Sequence, residues 1–355
     1  MKLFMLTRYG TMGASSRMRS YQYIPWLMEA KWDCTPSPFF SDDQLREKYH
    51  SGSYGPRVVL GAYFKRIEQI IESKRFDLLW IEKEALPWMP STLERWLLNG
   101  RPYVLDYDDA VFHNYDLHRL KMVRSVFGRR LDDLMAGSSL VIAGNRYLEN
   151  RALNAGAPRV EVIPTAVDLR RYAVSANRRK ARAKIVWIGS PSTTRYLELL
   201  REPLATLTGE VPFTLRVIGG GPVDMPGVEI ELLPWSQETE AAAIGDCDIG
   251  IMPLQDSPWE RGKCAYKLIQ YMACGLPTVA SPVGANVDLV IEGETEYLAH
   301  DAAEWINHLK RLLLDSDLRR RMGACGRVRV EQHYCIQRTA PRLIDLLSDV
   351  VRTSR

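Results

Sequence analysis

Short apolar runs recur along the chain, each followed by small or polar residues and then by a segment with helical spacing. KLFML at Lys2–Leu6, FDLLWI at Phe76–Ile81, PYVLDY at Pro102–Tyr107, LVIA at Leu140–Ala143 and VEVI at Val160–Ile163 read as strands. Runs this short and this rich in Val, Ile and Leu suit strands covered on both faces. Between them, Met18–Ala30, Val58–Ser73, Pro90–Asn99 and Leu117–Ala136 read as helices. The pattern restarts with KIVWI at Lys184–Ile188, FTLRVI at Phe213–Ile218, IGIM at Ile249–Met252 and PTVA at Pro277–Ala280. The stretch Ile306–Asp349 is helical, apolar on one side and Arg-rich on the other.

Strands alternating with helices imply parallel sheets with crossover helices. Two such series predict an α/β chain of two doubly wound, Rossmann-like domains, with a ligand cleft between the carboxyl ends of their strands. The polar Pro164–Tyr172 and the Arg-, Lys-, Ser- and Asn-rich Val174–Ala183 read as the linker between them.

Composition narrows the class. The 355 residues, 46% hydrophobic and 25% charged, are those of a globular protein of about two domains. The formal net charge of +4 is too small to argue for nucleic acid, but suits anionic substrates or an anionic membrane surface. The six cysteines form no CxxC pair and no zinc-ligand spacing, and read as buried free thiols in a reducing compartment. The opening MKLFMLTRYGTMG is too short in apolar residues for a signal peptide. No run approaches the ~18 apolar residues of a membrane span. The expectation is a cytoplasmic protein, with peripheral contact at the inner membrane face as an extension of it.

Several clusters carry candidate chemistry. KIVWI runs directly into Gly189 and Ser190, and FTLRVI into Gly219, Gly220 and Gly221, a strand-then-glycine arrangement that lays phosphate or sugar against backbone amides. Ser190 serves equally as a helix N-cap. Lys263 and Lys267 are four positions apart, so on a helix or its leading turn they project to one side and form a diphosphate clamp, or remain two solvated lysines. In the first half, Gly10, Gly13, Ala14, Ser15 and Ser16 make a small-residue loop, followed by Arg17 and Arg19, which bind an anion or stay solvated. Asp106, Asp108 and Asp109 stand at a strand's carboxyl end. Asp108 is placed to orient or deprotonate a hydroxyl, and the D-x-D spacing of Asp106 and Asp108 is a weak metal signal. Leu117–Ala136 combines Leu117, Leu120 and Met122 with Arg119, Lys121 and Arg124. It reads as an ordinary domain helix with a solvated face, in preference to a basic amphipathic helix lying on an anionic membrane.

The segment Asp246–Asn286, DCDIGIMPLQDSPWERGKCAYKLIQYMACGLPTVASPVGAN, resembles the donor-site signature of GT-B glycosyltransferases, in particular glycosyltransferase family 4. Met272–Gly275 and Pro277 match the family's helix end, and VIPTAVDLRRY, WIG and VIGGGP match its linker, first donor loop and glycine turn in order. The family's two glutamates, spaced E-x7-E, fall on Gly262 and Gln270, with Glu260 the nearest acid. Gln270 retains hydrogen-bonding capacity toward ribose hydroxyls.

The resemblance implies a nucleotide-sugar-dependent transferase, retaining and metal-independent, with no cofactor beyond the donor itself. It places Gly189, Ser190, Arg195, Gly220, Glu260, Lys263, Lys267 and Gln270 around the donor, Trp235 near the nucleobase, and Gly13, Arg17 and Asp108 on the first domain. It implies an acceptor domain over 1–167, a donor domain over 168–335, and a helix over 336–355 packing back on the first domain. Domain closure would exclude water. The acceptor class is a hydroxyl of a surface polysaccharide, a lipid-linked glycan or a glycoconjugate. Two rivals stand beside this reading: a nucleotide-sugar 2-epimerase on the same scaffold, and a degenerate, non-catalytic binding protein.

Overall fold

A computed structural model describes residues 1–174 and 182–354; most of the expected linker Val174–Ala183 lies outside them. The chain forms two compact units. Unit 1 comprises Met1–Thr165, Gly262–Cys264 and Thr339–Arg355, and unit 2 comprises Ala166–Arg261 and Ala265–Arg338.

Unit 1 is built on strands β1 (Lys2–Tyr9), β2 (Asp33–Phe40), β3 (Leu78–Glu82), β4 (Tyr103–Tyr107), β5 (Leu140–Ala143) and β6 (Val160–Val162). They form one six-stranded parallel sheet in the order β2-β1-β3-β4-β5-β6. Alternate residues on both faces are buried, so Leu3, Leu78 and Val104 serve one side while Phe4, Leu79 and Leu105 serve the other. Such two-sided burial is what erases polar alternation from the inner strands. The connection direction reverses at β1, which places the ends of β1 and β3 at the topological switch point. The helix Ile336–Thr353 enters this unit from Thr339 onward, with Tyr23 and Thr339 joined hydroxyl to hydroxyl at 2.9 Å.

Unit 2 holds β7 (Ala183–Ile188), β8 (Phe213–Ile218), β9 (Glu229–Leu233), β10 (Ile249–Met252), β11 (Thr278–Ala280) and β12 (Glu296–Leu298). This second parallel sheet runs β12-β11-β10-β7-β8-β9, with the switch at β7. Ile185 and Trp187 belong to the core on one face, Val186 and Ile188 to the core on the other.

Four sequence expectations change. Strands β2, β9 and β12, three of the four sheet edges, escape the apolar-run pattern. β2 reads DCTPSPFF, and its two prolines are tolerated only where one side of the strand has no partner. The Met18–Ala30 helix resolves into Ala14–Arg19, a short 3₁₀ turn and Ile24–Glu29, so the expected loop ends at Gly13. The C-terminal stretch is three helices, Ala302–Leu314, Ser316–His333 and Ile336–Thr353. Finally, Leu117–Ala136 is not one helix. It divides into Lys121–Phe127 and Arg130–Ala136, and the first of these buries none of its residues.

Glu296 on β12 is fully buried. One carboxylate oxygen is bonded by Thr278, and among the described residues the other has no hydrogen-bond partner. Burial pushes its carboxyl up to about 8 from an ordinary 4.5, with Thr278 and Arg329 pulling the other way. The folded chain therefore favours the protonated acid. The associated stability is complete below pH 4.5 and is lost as pH rises through about 8. Glu296→Gln is expected to flatten that loss, leaving the variant more stable than the parent at pH 9 by a few kcal/mol at most, on the order set by a shift of this size. Urea unfolding at pH 5 and pH 9 checks this; an equal loss of stability in both proteins would contradict it.

Candidate functional site

In unit 2 the ends of β7 and β8 are brought together by a single large side chain. Trp187, almost completely buried, lies under both strand-end turns. A Cβ on Gly189 would overlap its indole, and a Cβ on Gly220 would come within 2.6 Å of Val217 and 3.1 Å of Trp187. Gly219 has φ +71°, and a side chain there would meet the Gly189 carbonyl at 2.6 Å and Trp235 Cβ at 2.8 Å. The glycines are thus required by internal packing. The amides of Gly189, Ser190, Gly219 and Gly221 differ from the sequence expectation of open donors. Gly189 N donates to Ile218 O, Ser190 N to Thr193 Oγ1, Gly219 N to Leu233 O and Gly221 N to Thr194 Oγ1. Ser190 takes the N-cap role, which leaves its donor role open: it forms a capping box with Thr193 on the 3₁₀ helix Pro191–Leu200.

Cationic groups border these turns. Lys267 holds its ammonium 5.6 Å from the centroid of the Trp187 ring. Arg195 is 70% exposed, stands over the Tyr196 ring and lies 3.8 Å from Glu260. Glu260 is buried and accepts from the Tyr196 hydroxyl at 2.5 Å and from Ser257, so its carboxylate sits behind Arg195.

The structure separates two residues that the sequence grouped. Lys263 precedes the helix Tyr266–Ala273, whose N-cap Ala265 is in the left-handed region at φ 53°. The helical repeat therefore does not extend back to Lys263, which belongs to unit 1 and lies 3.7 Å from Asp109. Gln270 is buried and spends its amide on the Tyr172 hydroxyl at 2.9 Å. Tyr172 in turn bonds Glu240, whose other oxygen takes the Trp235 indole N–H at 2.7 Å. Trp235 and Gln270 are thereby two ends of one internal chain, which fixes the half-buried indole beside Gly219. Gly262 has no room for the family's glutamate in this backbone: a Cβ there would come within 2.5 Å of Ala110 Cβ.

Unit 1 gathers a second cluster at its switch point. Ser16, on the helix Ala14–Arg19, donates to Glu82 at 2.6 Å and accepts from the Tyr9 amide. Ser15 donates to Asp108 at 2.5 Å, and Lys83 Nζ reaches Ser15 Oγ and Asp108 Oδ1, each at 2.9 Å. Lys83, absent from the sequence reading although it directly follows Glu82, is held at φ 64°, a strained conformation for a side-chain-bearing residue. Burial works to lower the Lys83 ammonium, but Asp108 and Asp109 overcome it and raise it. Burial likewise pushes Asp108 up, and Lys83 and Ser15 bring it below its ordinary value. A carboxylate so held is a poor proton acceptor at neutral pH but remains a hydrogen-bond acceptor, which favours orienting over deprotonating.

The solvated reading of Arg17 and Arg19 gives way. Both are buried: Arg17 donates to the Thr11 carbonyl at 3.0 Å, bracing the loop that leads to Gly13, and Arg19 pairs with Asp106 at 2.8 Å. A side chain on Gly13 would strike Tyr9, so this glycine too is set by packing. Asp106 is occupied by Arg19 and Asp108 by Lys83, so the D-x-D carboxylates each face a cation.

The model of the family described as glycosyl transferases group 1 matches residues 182–315. A spore coat protein, SA, from Bacillus subtilis strain 168 is 32% identical over 78 residues, a stretch spanning 21% of each chain. Among solved structures, sucrose-phosphate synthase from Thermosynechococcus elongatus superposes with a TM-score of 0.75 at 17% identity, covering 99% of both chains. Anabaena HepE, solved in complex with UDP and glucose, gives 0.73 at 16% identity over 98% of this chain and 100% of its own.

Lys83→Met is expected to destabilise unit 1 by about 3 kcal/mol, because it strands a buried carboxylate. Adding Asp108→Asn should recover most of that loss. Urea denaturation of the three proteins checks it; a double variant as unstable as the single one would count against the pairing. Residues 182–315 thus match the model of the group 1 glycosyl transferases, on a chain whose two six-stranded, Rossmann-like sheets share the fold of these solved structures.

Proposed function

We propose that the chain transfers a sugar from a nucleoside diphosphate sugar to a hydroxyl acceptor, with unit 2 holding the donor. The observation that carries this is a coincidence of place. The group 1 glycosyltransferase match falls within unit 2 apart from Gly262–Cys264, and its β7 and β8 ends bring Gly189, Gly220, Trp235 and Lys267 together. Departure of a nucleoside diphosphate concentrates negative charge on the leaving oxygen. Lys267, braced on Trp187, and the exposed Arg195 are the cations proposed to offset it, without a metal. The hydroxyls of Ser190 and Thr193, bonded to one another at the surface, can exchange that bond for a phosphate oxygen. HepE was solved with UDP and glucose, which makes UDP the first nucleotide to test.

The acceptor is assigned to unit 1. Asp108 and Ser15 form a fixed polar pair there, suited to orienting a hydroxyl. Retention of anomeric configuration, a lipid-linked or surface-polysaccharide acceptor, and work at the inner membrane face complete the reading. The membrane contact in this reading is peripheral; among the described residues, no helix is long and apolar enough to cross a membrane.

A thermal-shift panel of UDP, GDP and TDP tests the donor site. A ligand at about a hundred times its Kd stabilises the native state by about 2.7 kcal/mol, enough to raise Tm by several degrees. One member of the panel should produce that shift, and Lys267→Ala should remove it while leaving the ligand-free Tm in place. A full shift in the variant would take Lys267 out of the site, and no shift with any member would end the donor reading.

A further inference from the structure

We infer that the segment Leu117–Arg129 of unit 1 is a docking element for an anionic lipid surface. The helix Lys121–Phe127 buries none of its residues, whereas a helix of a globular domain ordinarily turns an apolar stripe inward. Val123 and Phe127 are only half-buried, and the other apolar residues of the segment face solvent instead. Met122 is 73% exposed and Val126 62%, four positions apart on one helical face, and Leu117 and Leu120 just before them are more than half exposed. Single exposed apolar residues are ordinary; four within ten positions are a patch. Phe127 ties the segment to the unit through ring contacts with Tyr115 and Trp88, at 6.2 and 6.4 Å between centroids. Trp88 is itself 45% exposed and touches His118, an amphipathic ring of the kind that settles at headgroup depth.

Charge selects the occupant. Between Asp116 and Asp132 the chain carries no acidic residue, while Arg119, Lys121, Arg124 and Arg129 are all exposed. The two flanking acids are already bonded by Arg151, at 2.8 Å to Asp116 and 2.6 Å to Asp132. A second copy presenting the same face would oppose cation to cation. A soluble anion has no use for the exposed Met122 and Val126. An anionic bilayer satisfies both features, apolar side chains entering the acyl boundary while basic ones meet headgroup phosphates. This inference rests on the membrane contact of the proposed function and makes no use of the donor site, so a failure of lipid binding leaves the nucleotide-sugar reading standing.

Cosedimentation of the full chain with vesicles tests it. The protein should pellet with phosphatidylglycerol vesicles at low salt, pellet poorly with phosphatidylcholine vesicles, and be released by added salt. Met122→Gln combined with Val126→Gln should weaken phosphatidylglycerol binding by about tenfold or more, with Tm and the nucleoside diphosphate shift unchanged because both side chains are exposed. Equal binding to the two lipids, no binding to phosphatidylglycerol, or undiminished binding by the variant would overturn the inference. So would a concentration-dependent dimer that the same variant abolishes, which would give the face to a second copy.

Discussion

The constraint on which unit 2 turns is the volume of the Trp187 indole. An indole buried at the carboxyl end of the first strand leaves no space for side chains where the chain leaves β7 and turns after β8. Glycine at those positions follows from packing, as overfilling a close-packed interior forces backbone shifts. The same ring gives Lys267 a surface to lie against, a cation facing the electron-rich face of an aromatic. One bulky residue thereby shapes two turns and positions one charge, so the candidate donor site is a by-product of how the core closes.

Unit 1 solves the equivalent position by pairing charges. Its strand ends carry Glu82, Lys83, Asp106 and Asp108, each bonded to a partner from the loop or helix after β1: Ser16, Ser15 or Arg19. Polar groups in such a place must be paired, since an unmatched buried charge costs far more than the pair contributes. The result is a rigid polar floor at the switch point, where Asp108 stays ionised and fixed in direction.

The inner strands of both sheets were legible because burial on two faces leaves an unbroken apolar run, as in LVIA and IGIM. Three of the four edge strands were not: β2 is interrupted by two prolines, β9 alternates with glutamates and β12 has only three residues, whereas the edge strand β6 showed as VEVI. At the candidate site, the residue types were legible and their partners were not. Spacing placed Lys263 beside Lys267, but a left-handed Ala265 intervenes. Arg17 and Arg19 read as anion-binding or solvated because a sequence does not reveal that Asp106 lies within reach of Arg19. Gly262, a departure from the family's glutamate, becomes intelligible only once Ala110 is seen against it. Lys83 passed unnoticed between two glutamates, although its place one residue beyond a strand end was signal enough. The amphipathic spacing of Leu117–Ala136 predicted an inward-facing stripe, whereas the break near Gly128 leaves its first half only partly covered, held through Phe127.

A crystal structure of the full chain with a bound nucleoside diphosphate tests the central claim most directly. The diphosphate is expected at the ends of β7 and β8, with an oxygen within hydrogen-bond distance of Lys267 Nζ. A diphosphate seated instead at the loop Gly10–Gly13 of unit 1, or bound in unit 2 with the Lys267 ammonium out of reach, would contradict it.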